Sequence, residues 1–267
     1  MQAGPEQLLA WKGVAVGAWF VLIFALERWR PAAVPRLAEP RWRRLTRNAV
    51  LWAVNTVLSP LVVVPISAFA AAHGLGWRPA GWSGVGGLVL DLLLLDFLIY
   101  WWHRANHVVP FLWRFHSVHH LDRFLDSTTA LRFHVGEVLL SALARAAVIV
   151  LLAFPLRSVL IFEALVLMGA LFHHSNLRLP PAFERALSWI VVTPSIHWVH
   201  HHRLRIDTDA NYCTILSLWD RLFASRSPHQ RTPDMAIGVE AREEEPVLGL
   251  LAAPFRHQAR PDAIPSL

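Results

Sequence analysis

Fifteen of the 267 residues are histidine, and twelve of these fall between His103 and His202. Their spacing is regular. His103 and His107 are four apart, which sets two imidazoles on one helical face about a turn apart. The run His116-Ser117-Val118-His119-His120 has spacings of three and four, and its form recurs at His197-Trp198-Val199-His200-His201. Three imidazoles within a turn repel one another when protonated and cost desolvation when buried neutral, unless a cation accepts their lone pairs. The clusters therefore read as metal ligands. Imidazole suits iron, zinc, copper and nickel, so ligand type alone leaves the metal open. A single cysteine, Cys213, excludes a disulfide framework and any cysteine-held zinc or iron–sulfur cluster. Ligand number narrows the choice further. A structural zinc takes about four ligands and a catalytic zinc about three, whereas these clusters offer eight. Two metals at four or five imidazoles each would use them all. No Glu-x-x-His pair lies in the apolar stretches, so an all-histidine dinuclear site fits better than a carboxylate-bridged bundle site.

The elements that hold these residues must be helices in a bilayer. The chain is 55 % hydrophobic and 16 % charged, with net charge +6, mean hydropathy +0.39 and pI about 10.8. That excludes disorder and argues against an ordinary soluble domain. Five stretches approach the length of a span: residues 13–26, 49–72, 85–102, 138–154 and 156–172. The first has a signal peptide as its rival reading, but no small-residue cleavage site follows it, so it reads as an anchor helix. Pro60 and Pro65 are expected to kink the second, and Pro155 with Arg157 makes the last two a tight helical hairpin. Seven arginines lie between Arg28 and Arg47, against only Arg78 in the loop at residues 73–84. Positive-inside topology then places the first segment in the cytoplasm and, by alternation, every dense histidine cluster there too. The charge has no nucleic-acid reading, because the arginines flank apolar spans. Arg41-Trp42-Arg43-Arg44-Leu45 suits a headgroup interface. The polar tail from Ser225 carries a short apolar patch, residues 247–255, expected to pack back on the histidine region.

Order and spacing together resemble the fatty acid hydroxylase / sterol desaturase superfamily of membrane non-haem di-iron oxygenases, of the bacterial type. The resemblance runs from about Leu90 to Phe255. It is carried by the three histidine clusters, by Thr128-Thr129-Ala130-Leu131-Arg132-Phe133-His134, by His174-Ser175-Asn176-Leu177, and by Asp209-x-Asn211-Tyr212 leading into Leu218-Trp219-Asp220-Arg221-Leu222-Phe223. It implies an all-α membrane bundle of four to five spans with a cytoplasmic, histidine-rich helical cap holding two irons. Residues 1–84 become anchor helices, 85–224 the catalytic domain and 225–267 a tail packing on it. The ligands it implies are His103, His107, His116, His119, His120, His197, His200 and His201, with His134 and His174 added. The bland alternative for His134 is a hydrogen bond to a neighbour at a helix start. Of the adjacent His173 and His174 only one is expected to bind, and the Ser-Asn context favours His174; His202 falls outside the set. Ligating imidazoles usually donate their second nitrogen to a carboxylate or carbonyl. Asp96, on the face of His103, is the first candidate partner, followed by Asp122, Glu137, Asp209 and Asn211. Cys213 and Ala224 stand where the family commonly has glycine, which puts local turn geometry in question.

The implied chemistry is O₂-dependent hydroxylation or desaturation of a lipid C–H bond, in a multi-pass protein of a bacterial inner membrane. Electrons would come from a separate reductase, ferredoxin or cytochrome b5. Trp101, Trp102, Trp113 and Phe115 are candidates to shape the lipid's route to the metals. The rival classes are a histidine-ligated zinc hydrolase of the membrane, a metal transporter and a di-haem cytochrome. A transporter would place its ligands near the midplane, whereas these sit at span ends.

Overall fold

A computed structural model describes residues 4–35 and 37–256. Arg36 and His257 lie outside the described residues. Helix α1 (Pro5–Trp29) is followed by α2 (Arg41–Leu58), which continues through a π-helical turn at Ser59–Val63 into α3 (Val64–Ala72). Then come α4 (Gly84–Val108), α5 (Pro110–His120), α6 (Val135–Leu152) and α7 (Leu156–His173). The short helices α8 (Pro181–Leu187), α9 (Pro194–His200), α10 (Arg205–Thr208), α11 (Leu218–Leu222) and α12 (Val247–Ala252) complete the chain. Among the described residues no strand forms beyond isolated bridges.

Five helical stretches are long and apolar enough to cross a membrane: Glu6–Trp29, Arg41–Ala72, Gly84–Val108, Val135–Leu152 and Leu156–His173. The π-helical turn takes up Pro60, so the second stretch continues as helix through both prolines. Helix α1 lies along α7, α3 against α6, and α4 against both α5 and α7. The bundle interior is apolar, with Leu95, Ile149, Phe154, Val159 and Phe162 packed together, while Val14, Val21, Val85 and Leu151 face outward.

Two of the buried carboxylates inside the spans are ion-paired, which offsets the cost of burying them. Asp91 of α4 accepts from Arg78 at 2.8 Å and from Ser158. Glu163 of α7 joins Lys12 of α1 (2.5 Å) and Arg145 of α6 (3.1 Å). The basic segment expected at the headgroups is divided. Trp42 faces outward, but Arg44 is buried, donating to Asp122 (2.6 Å), Asp126 (2.8 Å) and the Phe124 carbonyl (2.7 Å). Arg47 is buried as well and pairs with Glu39. Arg44 ties α2 to the loop after α5, while Arg47 ties it to the segment before it and to Glu244 of the tail. In the tail, Leu250 and Ala253 pack with Leu51, Val118, Leu121 and Val239.

Two prolines position the histidines. A proline pushes the residue before it out of the helical region. Val109 is accordingly extended (φ −88, ψ 114), α4 stops, and Pro110 opens α5 in a new direction. That turn lays α5 beside the end of α4. Pro194 opens α9 in the same way after an extended Thr193.

Candidate metal centre

Nine histidines converge where α4 and α7 end and α5 and α9 meet them. The ligand nitrogens of His103, His107, His116, His120 and His200 lie within 4.8 Å of one another, and those of His119, His174, His197 and His201 form a second group of the same tightness. Each His-x-x-His-His cluster serves both groups. On α5 the four-apart pair His116 and His120 joins the first group and His119 the second. On α9 the four-apart pair His197 and His201 joins the second and His200 the first. The three imidazoles of a cluster, expected to gather on one face, thus straddle two adjacent centres. His120 and His201 stack across the boundary at 4.1 Å.

Hydrogen bonds fix which nitrogen faces inward. His119 donates Nδ1–H to the Arg132 carbonyl (3.0 Å) and His174 donates Nδ1–H to the Ala170 carbonyl (2.8 Å). A carbonyl only accepts, so each ring carries its proton on Nδ1 and, when neutral, leaves Nε2 as a bare lone pair. Burial keeps these rings neutral. It pulls His174 down to about 4, and with neighbouring imidazoles it holds His119 well below 6.5. Yet the two Nε2 atoms are 3.0 Å apart, and His174 Nε2 is also 2.9 Å from His197 Nε2. Lone pairs opposed at that distance repel unless a cation lies among them. The first group repeats the pattern. His103 donates Nδ1–H to the Tyr212 carbonyl (2.8 Å), His200 to the Ala210 carbonyl (2.6 Å) and His116 to Glu137 Oε1 (2.7 Å). The inward Nε2 atoms of His116 and His200, and both nitrogens of His107 and His120, are buried without a partner. This donor set fits two transition metals held by nitrogen.

The remaining candidates fall differently. His134 is outside both groups: its Nδ1 accepts from the Gly136 amide at 2.9 Å, capping α6, and its Nε2 bonds the Leu251 carbonyl at 3.1 Å. His173 is buried with both nitrogens unpartnered and stacks on His197 at 3.9 Å. His202 pairs with Asp207 at 2.7 Å. Asp96 does not reach His103; it accepts from Trp219 Nε1 (2.8 Å) and the Leu216 amide (3.3 Å). Seven residues is about 10 Å along a helix, so a shared face is not contact. Asp122 serves Arg44 rather than a histidine, and Asp209 Oδ1 stands 3.7 Å from His107 Nδ1 while pairing with Arg205.

Asn211 acts through the backbone. It occupies the left-handed region (φ 56), which asparagine tolerates, and its side chain spans the Ile196 carbonyl and the Ser227 amide. This kink turns the flanking carbonyls of Ala210 and Tyr212 onto His200 and His103. Cys213 is buried and its Sγ accepts from the Asp220 amide, so it fits without distortion. Ala224 is left-handed (φ 50), a conformation that costs a non-glycine residue about 1–2 kcal/mol. The carbonyl partners of the histidines were out of reach of sequence reading, because no side-chain type marks a backbone acceptor.

Comparison with known proteins agrees with this geometry. The fatty acid hydroxylase family matches residues 88–225, slightly over half the chain. The ornithine lipid hydroxylase OlsE of Rhizobium tropici is 28 % identical over 253 residues, covering 94 % of this chain and 76 % of that protein. An alkylglycerol monooxygenase of Danio rerio is 33 % identical over 149 residues, which are 55 % of this chain and 32 % of that protein. Lathosterol oxidase of Rattus norvegicus is 28 % identical over 174 residues, covering 60 % and 55 %. No solved structure matches the chain significantly. Histidine clusters at the ends of apolar helices and the sequence match together identify the chain as a member of the fatty acid hydroxylase family, within the superfamily that includes sterol desaturases.

Proposed function

We propose that the chain is a membrane di-iron oxygenase that hydroxylates or desaturates an unactivated C–H bond of a lipid. His103, His107, His116, His120 and His200 hold one iron, and His119, His174, His197 and His201 hold the other. The observation that carries this reading is the opposition of bare, neutral Nε2 atoms on His119 and His174, within nine imidazoles gathered at the ends of apolar helices. Iron is preferred to zinc because oxidation needs a redox metal and zinc has no redox chemistry. Bound here, two irons supply the redox chemistry by which O₂ oxidises a C–H bond; electrons come from a separate reductase, ferredoxin or cytochrome b5.

The chain's residues do the positioning. Four backbone carbonyls and Glu137 hold the Nδ1 protons outward and so keep five Nε2 atoms aimed inward. A cleft of about 280 Å³ between α4 and α6, walled by Leu98, Trp101, Trp102, Ala105, Ala144 and Val148, adjoins the turn that carries His103. It is our assignment for the apolar chain of the substrate, which would approach from the bilayer without crossing water. Trp113 packs on His107 at 5.1 Å and Phe115 lies 5.4 Å from His134, so both belong to the cap over the metals. We place this cap on the cytoplasmic side of an inner membrane, from the arginine distribution.

The purified protein should contain about two irons, and His119→Ala or His200→Ala should abolish oxidation while leaving the protein in the membrane. Lipid profiling of cells with and without the chain under ¹⁸O₂ would identify the substrate, with label retained only by a hydroxylated product. Full activity in those variants, or zinc restoring a metal-free enzyme that iron does not, would overturn the reading.

A further inference from the structure

A polar pocket of about 450 Å³ lies between α8 and the segment after Ser225, and none of the nine grouped histidines lines it. Its walls include Arg185, Arg226 and Arg231 against the single lining carboxylate Glu184, while His229 is taken up by Asp207 at 2.7 Å, so the arginines make the pocket positive. Glu184 is already used, since its Oε1 accepts from the Ser195 amide at 2.9 Å. Arg231 is partly buried, with its guanidinium 3.8 Å above the Trp198 ring. Its polar contacts are long: 3.5 Å to the Leu177 carbonyl and 3.4 Å to Asn176 Oδ1. Among the described residues no carboxylate lies within ion-pair distance of it. A desolvated guanidinium without a counter-ion is costly. Burial lowers Arg231 to about 10; the nearby Glu184 carboxylate opposes that shift without forming an ion pair, and Arg178 adds a smaller repulsion. The fully buried Arg44 and Arg132, by contrast, each have a carboxylate.

The pocket's depth follows from the helices. Asn176 and Leu177 come directly after the stretch that ends at His173, and the Arg178 amide bonds the Arg30 carbonyl beside the end of the stretch at Trp29. The same rim exposes Phe183, Trp189 and Ile190, the side chains of a membrane interface. A basic pocket at that level meets lipid headgroups.

We propose that Arg185, Arg226 and Arg231 form a binding site for the anionic headgroup of a membrane lipid, whose phosphate or carboxylate supplies the counter-ion that the chain does not. Arginine is suited to such oxyanions through paired N–H donors. The inference needs the membrane placement but not the identity of the lipid that is oxidised.

The test uses the full chain in neutral detergent and reads lipid binding, with or without metal, by native mass spectrometry. Dioleoyl phosphatidylglycerol should bind saturably, and phosphatidylcholine at least tenfold more weakly, because choline brings a positive charge against the arginines. Arg185 and Arg226 are exposed and make no side-chain hydrogen bond or ion pair recorded among the described residues, so Arg185→Gln and Arg226→Gln should fold normally. Each should weaken phosphatidylglycerol binding about tenfold and leave phosphatidylcholine unchanged. Arg231→Gln should do the same or more. Equal binding of the two lipids, wild-type binding by the double variant, or inorganic phosphate binding as tightly as phosphatidylglycerol would each overturn the proposal, the last by revealing a soluble-anion site. None of these results bears on lipid oxidation, so the two readings fail separately.

Discussion

His134 and His173 separate on one criterion, whether a ring nitrogen remains to face a metal. Both nitrogens of His134 are occupied, one by the Gly136 amide and one by the Leu251 carbonyl. Both nitrogens of His173 are buried and idle, and its ring lies against His197. His173 belongs to neither ligand group but packs on the ligand His197, so His173→Ala should lower iron content by loosening His197, and His134→Ala should leave it unchanged. The second variant instead loses a helix cap, with a stability cost of about 1 kcal/mol. Iron per chain by elemental analysis, read beside a denaturation midpoint, distinguishes the two effects; iron loss in His134→Ala alone would reverse the assignment. At this scale the sequence was informative where spacing carries the signal. The clusters of three and four are helix geometry written in residue numbers, and eight of their members meet in the two groups. It was uninformative for isolated histidines. Nothing in the types around His134 distinguishes a cap from a ligand, because both need an imidazole at a helix start.

Between the helices, the support of the second group passes through Arg132. Its guanidinium is fully buried and donates to the Val118 carbonyl (2.9 Å), to Asn48 of α2 (3.1 Å) and to Glu244 of the tail (2.8 Å). Its own carbonyl receives the Nδ1 proton of His119. One residue thus joins α2, α5 and the tail and orients a ligand. Asp122 is bound into the same network: burial raises its carboxyl, but Arg44 and Arg132 outweigh that and hold it down at about 2. Arg132→Leu keeps the carbonyl but leaves Glu244 short of its closest partner, and breaking a buried ion pair costs about 3–5 kcal/mol. The expected result is a lower unfolding midpoint together with loss of iron from the second group first, seen as occupancy nearer one than two. Full occupancy at the lowered midpoint would mean that the Arg132 carbonyl holds His119 in place without the guanidinium network. The last two helices were legible to within about three residues from apolar length and proline placement, whereas α1 and α2 each begin about eight residues before the apolar stretches at 13 and 49, in polar sequence that hydropathy does not mark. The burial of Arg44 and Arg47 was not legible. A run of arginines beside tryptophan has the composition of an interface, and only the partners Asp122, Asp126 and Glu39, distant or unremarkable in sequence, reveal otherwise.

For the molecule as a whole, the histidine groups set a limit on the acid side. Burial, reinforced by neighbouring imidazoles, lowers His119, His120, His197 and His201 well below 6.5, and burial takes His174 to about 4 and His200 to about 3. In the unfolded chain the same groups titrate near 6.5. Between those values the unfolded state binds more protons than the folded one, so stability falls as pH drops below about 6.5 and is independent of these groups above about 7.5. Six imidazoles acting together give a slope on the order of 8 kcal/mol per pH unit, comparable to the whole stability of a domain. The metal-free protein should therefore unfold within about one to two units below pH 6.5. Asp122 is still ionised there, since its contribution is lost only as pH falls toward 2. Asp122 consequently does not set the limit. If the two groups hold iron as proposed, ferrous iron would bind them in the folded chain and not in the protonated unfolded one, and so should move the acid midpoint downward by mass action. Unfolding in mild detergent, followed by tryptophan fluorescence against pH with and without iron, checks both statements. A metal-free midpoint at or below pH 4, or one that iron does not shift, would mean that the nine imidazoles are not held neutral in the fold and that the two groups are not metal sites.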